Sequence, residues 1–271
     1  MIKLVVADMD GTILQPDLSI SSRTIAAIQA LRAYGIRFTF ATGRADQLMK
    51  EYVDQLALQD PIISSNGSVI GNPFSAERVF EQGLDKDVIE QALDYLEQHH
   101  VMYMIYTKDG ILCRENERSR FFEARNLTLP QHQRTTFVYD DHPARLLQGQ
   151  TVNKILIIEQ DPTKYKRIHN WMRNLPNTNI IRSQSQFIDI NPNGVNKGKA
   201  LQQLAEYYKI ELSDVVAFGD HHNDIEMIQT AGIGIAMGNA VDALKEIADD
   251  IALRNDEDGV AIWIETYLAS L

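Results

Sequence analysis

The stretch Lys3–Leu14, KLVVADMDGTIL, ends an apolar run in two aspartates one residue apart, followed by glycine and threonine. Two carboxylates at the end of a buried strand repel each other and lose water, and both effects disfavour their charged forms. Carboxylates and an amide recur after the apolar stretch VVAF, in Gly219–Asp224, GDHHND. Small polar residues follow two further apolar stretches: Thr42 and Gly43 in FTFATGR, and Ser64 to Gly67 in IISSNG. A cation neutralises such a set. Oxygen donors without cysteine or a histidine cluster favour a hard ion such as Mg²⁺, bound between Asp8, Asp10 and Asp220. Mg²⁺ commonly shares its shell with substrate phosphate, so the residues point to phosphoryl chemistry. Lys197 in NKGKAL, at a helix start, supplies positive charge for a phosphate or a carboxylate pair.

These residues meet only if the apolar stretches are neighbouring parallel strands. After the opening strand, spacing predicts a helix over Ser22–Tyr34, a strand in IRFTF, a helix in ADQLMKEYVDQLAL and a strand in PIISS, then a hairpin around Gly71, Asn72 and Pro73. From Asn196 the pattern resumes: helix KGKALQQLAEYYK, strand DVVAFGD, helix NDIEMIQTAG, strand IGIAM, helix AVDALKEIA and a last helix GVAIWIETYLASL. Strand and helix in alternation imply an α/β fold, a doubly wound and mostly parallel sheet whose ligands gather beyond the carboxyl ends of the strands. The middle differs. A helix followed by two strands occurs twice there, which predicts a smaller α+β module inserted at residues 84–187, between core segments 1–83 and 188–271.

Composition narrows the partners. With 271 residues, 44% hydrophobic and 23% charged, the chain is an ordinary globular one with room for two modest domains. A net charge of −11 repels nucleic acid and anionic lipid. The single cysteine, Cys113, excludes an intrachain disulfide and a cysteine zinc site and reads as a small core residue. MIKLVVAD is too short an apolar run for a signal peptide, and no run approaches the roughly 18 residues of a membrane span. The expectation is a cytoplasmic protein, monomer or weak dimer, acting on a small phosphorylated metabolite.

DMDGT, TGR, the lysine of NKGKAL and GDHHND, in that order, resemble the four motifs of the haloacid dehalogenase superfamily, and in particular its Cof-type phosphatases with an inserted α/β cap. The resemblance extends to SSNG and to the tail EDGVAIWIE. It implies Asp8 as nucleophile, forming an aspartyl phosphate, and Asp10 as the acid that protonates the leaving alcohol and then the base that activates water. It implies Mg²⁺ held by Asp8, Asp10 (through its backbone carbonyl) and Asp220, with Asp224 orienting Lys197 or a metal-bound water. Thr42, Gly43, Asn223, the Met9 N–H and Lys197 then hold the phosphoryl group. A phosphomutase of the same fold and a catalytically silent phospho-ligand sensor are the competing functions.

Other residues carry blander readings. His221 and His222 stand where many relatives have a small residue, and read as polar turn residues. GIGIAMG lacks the spacing of a dinucleotide fingerprint. His99 and His100 sit at a helix end and partner its dipole. Arg114, Arg118, Arg120 and Arg125 read as a solvated helix face, with a second substrate anion as the alternative. Tyr103, Tyr106, Phe121 and Phe122 read as core.

Overall fold

The computed structural model spans residues 1–271 and describes all of them except Ala76 and Ser185 and the side chains of Arg118 and Gln184. The chain forms two compact units. The first holds Met1–Asp46, Tyr52–Phe80 and Asn196–Leu271; the second holds Gln47–Glu51 and Glu81–Val195.

The first unit is built on a five-stranded parallel sheet in the order Asp250–Ile251, Ile233–Ala236, Val215–Gly219, Leu4–Ala7, Arg37–Phe40. An isolated parallel bridge between Ala41 and Ile63 adds Ile62–Ser64 beyond the last strand. Leu4–Ala7 and Val215–Gly219 are buried throughout, as expected of strands covered by helices on both faces. From Leu4–Ala7 the chain winds outward one way; from Val215–Gly219 it winds the other. These two neighbours, paired Leu4 with Val215 through Ala7 with Phe218, form the switch point where an open α/β sheet leaves a crevice.

Several elements depart from expectation. Arg37–Phe40 does not alternate: Phe38, Thr39 and Phe40 are all fully buried, and Thr39 Oγ1 answers its burial by donating to Pro61 O at 2.7 Å. The helix expected from Ala45 begins as a 3₁₀ turn, Asp46–Met49, and is α-helical only over Lys50–Gln55. The helices expected in NDIEMIQTAG and AVDALKEIA shrink to Ile225–Thr230 and Asp242–Lys245. Gly71 lies inside Val69–Gly71, whose sheet partners are Ile62–Ser64 and Arg78–Glu81.

The second unit carries a six-stranded sheet ordered Thr178–Gln184, Phe187–Pro192, Val152–Ile158, Met102–Thr107, Ile111–Cys113, Phe137–Tyr139. Phe187–Pro192 pairs antiparallel with both Thr178–Gln184 and Val152–Ile158, so this strand lies wholly in the inserted sheet, past residue 187 where the sequence reading placed the return to the core. Helices Lys86–Gln98 and Pro162–Met172 contribute Val88, Leu93, Leu96, Ile168 and Met172 to a hydrophobic cluster with Tyr103, Ile105, Ile155, Ile157, Ile188 and Ile190, alternate residues of one sheet face. The strand Phe137–Tyr139 was not expected; three half-buried residues are too few for a periodic signal. Phe121, read as core, is 69% exposed. No helix among the described residues is long and apolar enough to cross a membrane.

Candidate active site

Asp8 follows Leu4–Ala7 directly, and its backbone N–H donates to Phe218 O at 3.0 Å, tying the switch-point strands together at their carboxyl ends. Its side chain meets Lys197, the first residue of the helix Lys197–Tyr208, which Asn196 caps by accepting from Lys199 N. The helix is held close to Ile225–Thr230 at Gly198, where a Cβ would stand 2.5 Å from Glu226 O. Lys197 Nζ donates to Asp8 Oδ1 and to Asp224 Oδ1, each at 2.6 Å. Lys197 and Asp224 are wholly buried. The other Asp224 oxygen accepts from the backbone N–H groups of Asp220 and His221, both at 3.0 Å, so one carboxylate closes the loop after Val215–Gly219 and orients the lysine. Thr12 Oγ1 donates to Asp220 Oδ1 at 2.9 Å.

Asp8, Asp220 and Asp224 each offer an oxygen within 4.8 Å of the others'. One ammonium faces three carboxylates. Burial, only partly offset by Lys197 and reinforced by Asp224, pushes the Asp8 carboxyl up to about 7. Burial, then Asp8 and Asp224, push Asp220 up to about 9. Burial works to discharge Lys197, but Asp224 and Asp8 outweigh it and raise its pKa above the ordinary lysine value. An all-oxygen donor set, an excess of negative charge and two carboxyls reluctant to ionise without more positive charge together fit Mg²⁺.

The Asp10 carboxylate does not join this group; the sequence reading brings Asp10 to the metal through its backbone carbonyl and leaves the carboxyl as acid and base. Arg44 takes it in a two-pronged ion pair, Nη2 to Oδ1 at 2.6 Å and Nε to Oδ2 at 2.8 Å. A guanidinium fork matches a carboxylate better than a shared position among three other acids. Asp10 sits in the irregular turn Met9–Ile13, where Gly11 has φ +84° and a Cβ would overlap Asp220 Oδ2, so glycine lets the turn pass the acidic cluster without displacing Asp220.

The remaining predicted residues lie on the same strand ends. Met9 is fully buried beside Asp8. Thr42 is 1% exposed; its Oγ1 accepts from Arg44 N at 3.1 Å and its carbonyl from Asn66 N at 2.9 Å. A Cβ on Gly43 would stand 2.9 Å from Asn66 Oδ1, and that oxygen accepts from Asn223 Nδ2 at 3.1 Å, which joins the SSNG and GDHHND loops. Ser65 and Asn66 are both left-handed, φ 50° and 57°, a conformation costly for residues with a Cβ and fixed here by Ser65 N donating to Arg44 O. The sequence reading put Ser64–Gly67 at this mouth without a role, and assigned none to Arg44, Thr12 or Asn239, whose Nδ2 donates to Gly11 O at 2.7 Å. Arg44 was visible as the third residue of TGR beside an acidic mouth; Asn239 left no signal. The His221 and His222 rings stand edge to face, 4.9 Å apart.

The family model of haloacid dehalogenase-like hydrolases matches residues 5–264. Among curated proteins, the chain is 29% identical to the 5-amino-6-(5-phospho-D-ribitylamino)uracil phosphatase YitU of Bacillus subtilis, over 98% of this chain and 97% of that one. It is 30% identical to the pyridoxal phosphate phosphatase YbhA of Escherichia coli, over 98% of each. Among solved structures, a haloacid dehalogenase-like hydrolase from Bacteroides thetaiotaomicron superposes with a TM-score of 0.84 at 30% identity, over 98% of this chain and all of that one. With the motif residues gathered on one sheet edge, these likenesses show that the chain belongs to the haloacid dehalogenase-like hydrolases, as a Cof-type phosphatase acting on phosphoric monoesters.

Proposed function

We propose that this phosphatase hydrolyses small phosphorylated metabolites in two steps through an aspartyl phosphate on Asp8, with Mg²⁺ as cofactor. The observation that carries the reading is the buried Asp8–Lys197–Asp224 chain beside Asp220. It fixes one Asp8 oxygen on a cation and leaves the other for attack. An Asp8 oxygen forms a bond to phosphorus as the ester P–O bond breaks, and the departing alkoxide takes a proton from Asp10. Asp10, now ionised, draws a proton from water; the hydroxide attacks phosphorus, the acyl phosphate bond breaks, and inorganic phosphate and Asp8 are released. Lys197 balances charge on the phosphoryl oxygens, while Thr42, Gly43, Asn223 and the Met9 N–H donate to them. Asp8, Asp220 and Asp224, with the Asp10 carbonyl, are the groups placed to hold Mg²⁺, which when bound supplies electrostatic stabilisation of the phosphoryl charge.

The named substrates of the two relatives, a phosphoribitylaminouracil and pyridoxal phosphate, are small phosphate monoesters, and this supports the same class here. The core residues grip what all such esters share, so the inserted unit is the part assigned to discriminate among leaving groups. Phosphate release from a panel of metabolite esters, with Mg²⁺ and with chelator, tests the reading. Asp8→Asn, which keeps the shape but loses the nucleophile, is expected to be folded and inactive. Near-normal release by that variant, or undiminished release in chelator, would contradict it.

A further inference from the structure

The ion pair between Asp10 and Arg44 is a strong interaction of the site that the hydrolytic scheme leaves unused. Both Asp10 oxygens are engaged by the guanidinium fork, and the side chains are 33% and 18% exposed, so water competes only in part. Arg44 is fixed from several directions. Its N–H donates to Thr42 Oγ1 at 3.1 Å and its carbonyl accepts from Ser65 N at 2.8 Å, so its backbone belongs to the loop assigned to the phosphoryl group. Its third guanidinium nitrogen donates to Tyr52 Oη at 3.3 Å, with the guanidinium 5.5 Å from that ring's centre. Tyr52, 1% exposed, in turn donates to Leu18 O at 3.0 Å, in a residue held at φ 68°. An exposed surface ion pair needs no such backing. Two anchors on the Arg44 backbone and the Tyr52 hydroxyl on its guanidinium together fix the direction from which the carboxylate partner is held.

We propose that Arg44, braced by Tyr52, is a positioning residue: its fork keeps the ionised Asp10 carboxylate out of the Asp8–Asp220–Asp224 cluster, and when Asp10 takes up from water the proton it will donate, Nη2 keeps Oδ1 while the protonated Oδ2, released by Nε, is directed to the leaving oxygen. This rests on the assignment of Asp10 as proton donor. A misdirected acid matters in proportion to how much the leaving group needs a proton, and a merely structural arginine has no such selectivity.

The test is a series of phosphate esters from p-nitrophenyl phosphate, whose leaving group departs unprotonated, to an alkyl phosphate, assayed on the full-length protein with Mg²⁺. Arg44→Met is expected to lower kcat for the alkyl ester by roughly 10²-fold, the scale of a misplaced reacting group, while sparing the nitrophenyl ester. Arg44→Lys, which keeps the charge and loses the fork, is expected to show the same selectivity more weakly, and Tyr52→Phe more weakly again. Arg44→Met combined with Asp10→Asn is expected to lose no more than Asp10→Asn alone. Equal losses along the series in Arg44→Lys and Tyr52→Phe, or additive losses in the double variant, would overturn the proposal even if Asp10→Asn behaves as an acid variant should. If Asp10→Asn itself loses evenly along the series, the acid assignment fails, and the role of Arg44 fails with it.

Discussion

Lys197 Nζ lies 2.6 Å from Asp8 Oδ1 at a point where the lysine side chain is fully buried and that of the aspartate is 9% exposed. A buried pair of this kind adds little net stability over an apolar substitute, because desolvation consumes most of the attraction. Its effect is to favour the charged carboxylate in a place where burial alone favours the neutral acid, which is the form the proposed attack on phosphorus needs. Asp224, fully buried and 2.6 Å from the same nitrogen, makes the lysine the shared cationic partner of two acids.

Lys197→Met is therefore expected to do more than abolish turnover. It removes the cation and leaves Asp8 and Asp224 buried, an imbalance that costs about 3–5 kcal/mol in comparable sites. Urea denaturation in chelator at pH 8 reads this loss. It is expected to shrink at pH 5, where Asp8 takes up a proton; a loss equal at both pH values would mean that the pair is electrostatically idle.

The raised carboxyls contribute a pH dependence to the stability of the metal-free protein. Asp8 at about 7 and Asp220 at about 9, against 3.8 when unfolded, mean that the folded chain binds more protons than the unfolded one between about pH 4 and pH 9. Stability from these groups is full below pH 4 and is lost as pH rises through the two folded values. Under the proposed function Mg²⁺ competes with these protons for the carboxylates, so the rise in Tm on adding Mg²⁺ is expected to grow from pH 6 to pH 9. A Tm increment independent of pH would place the cation elsewhere. Asp220→Ala is expected to reduce the increment and to raise the Mg²⁺ concentration that activity needs.

The strand ends were legible because chemistry there conflicts with local preference. Two aspartates closing the apolar run before Asp8, and Asp220 and Asp224 closing VVAFG, cannot be explained by burial or by turns alone, so they mark a site. The parallel order of Leu4–Ala7 beside Val215–Gly219 followed from the alternation of strand and helix on either side of the insert. What stayed hidden was partner choice. Arg44 is one of 26 basic residues, and nothing in its neighbours says that it takes Asp10 rather than solvent. Asn239 holds the Gly11 carbonyl across 228 positions, a contact only tertiary folding defines. Short helices such as Asp242–Lys245 were overestimated because apolar spacing continued past the point where Ala248 and Asp249 turn into the edge strand.

Gly11→Ala tests the closeness of the first turn to the acidic cluster. The new methyl overlaps Asp220 Oδ2, and φ +84° is itself unfavourable for alanine by roughly 1–2 kcal/mol. Relief requires Asp220 or the turn to move, which also disturbs the Thr12–Asp220 bond. The variant is expected to be mildly destabilised, to bind Mg²⁺ more weakly and to lose at least tenfold in turnover, about the loss expected from misplaced groups. Calorimetric Mg²⁺ affinity equal to wild type would show that the turn adjusts without touching the cluster.

Tyr103 and Arg114 are natural candidates for reading the leaving group, and the second unit gives both an internal task instead. Tyr103 is 3% exposed within the hydrophobic cluster, and its hydroxyl donates to Glu97 Oε1 at 2.5 Å. Burial and the neighbouring Cys113 push its phenol up to about 12, so it remains a donor at any working pH. Arg114 pairs with the other Glu97 oxygen and donates from Nε to Asp141 O at 2.6 Å. Glu97 thus staples a strand residue and a loop residue to the end of the helix Lys86–Gln98. Tyr103→Ala opens a cavity and is expected to cost about 3–5 kcal/mol, which makes it useless as a probe of specificity. Tyr103→Phe removes one hydrogen bond, is expected to cost about 1–2 kcal/mol, and should leave the rank order of kcat/KM across a metabolite panel unchanged. Arg114→Ala should behave likewise. Replacing the whole inserted segment by a short linker, by contrast, is expected to flatten that rank order while the Mg²⁺ requirement persists. If Tyr103→Phe reorders the panel, Tyr103 touches substrate after all; if a folded deletion keeps the original order, discrimination resides in the core strand ends.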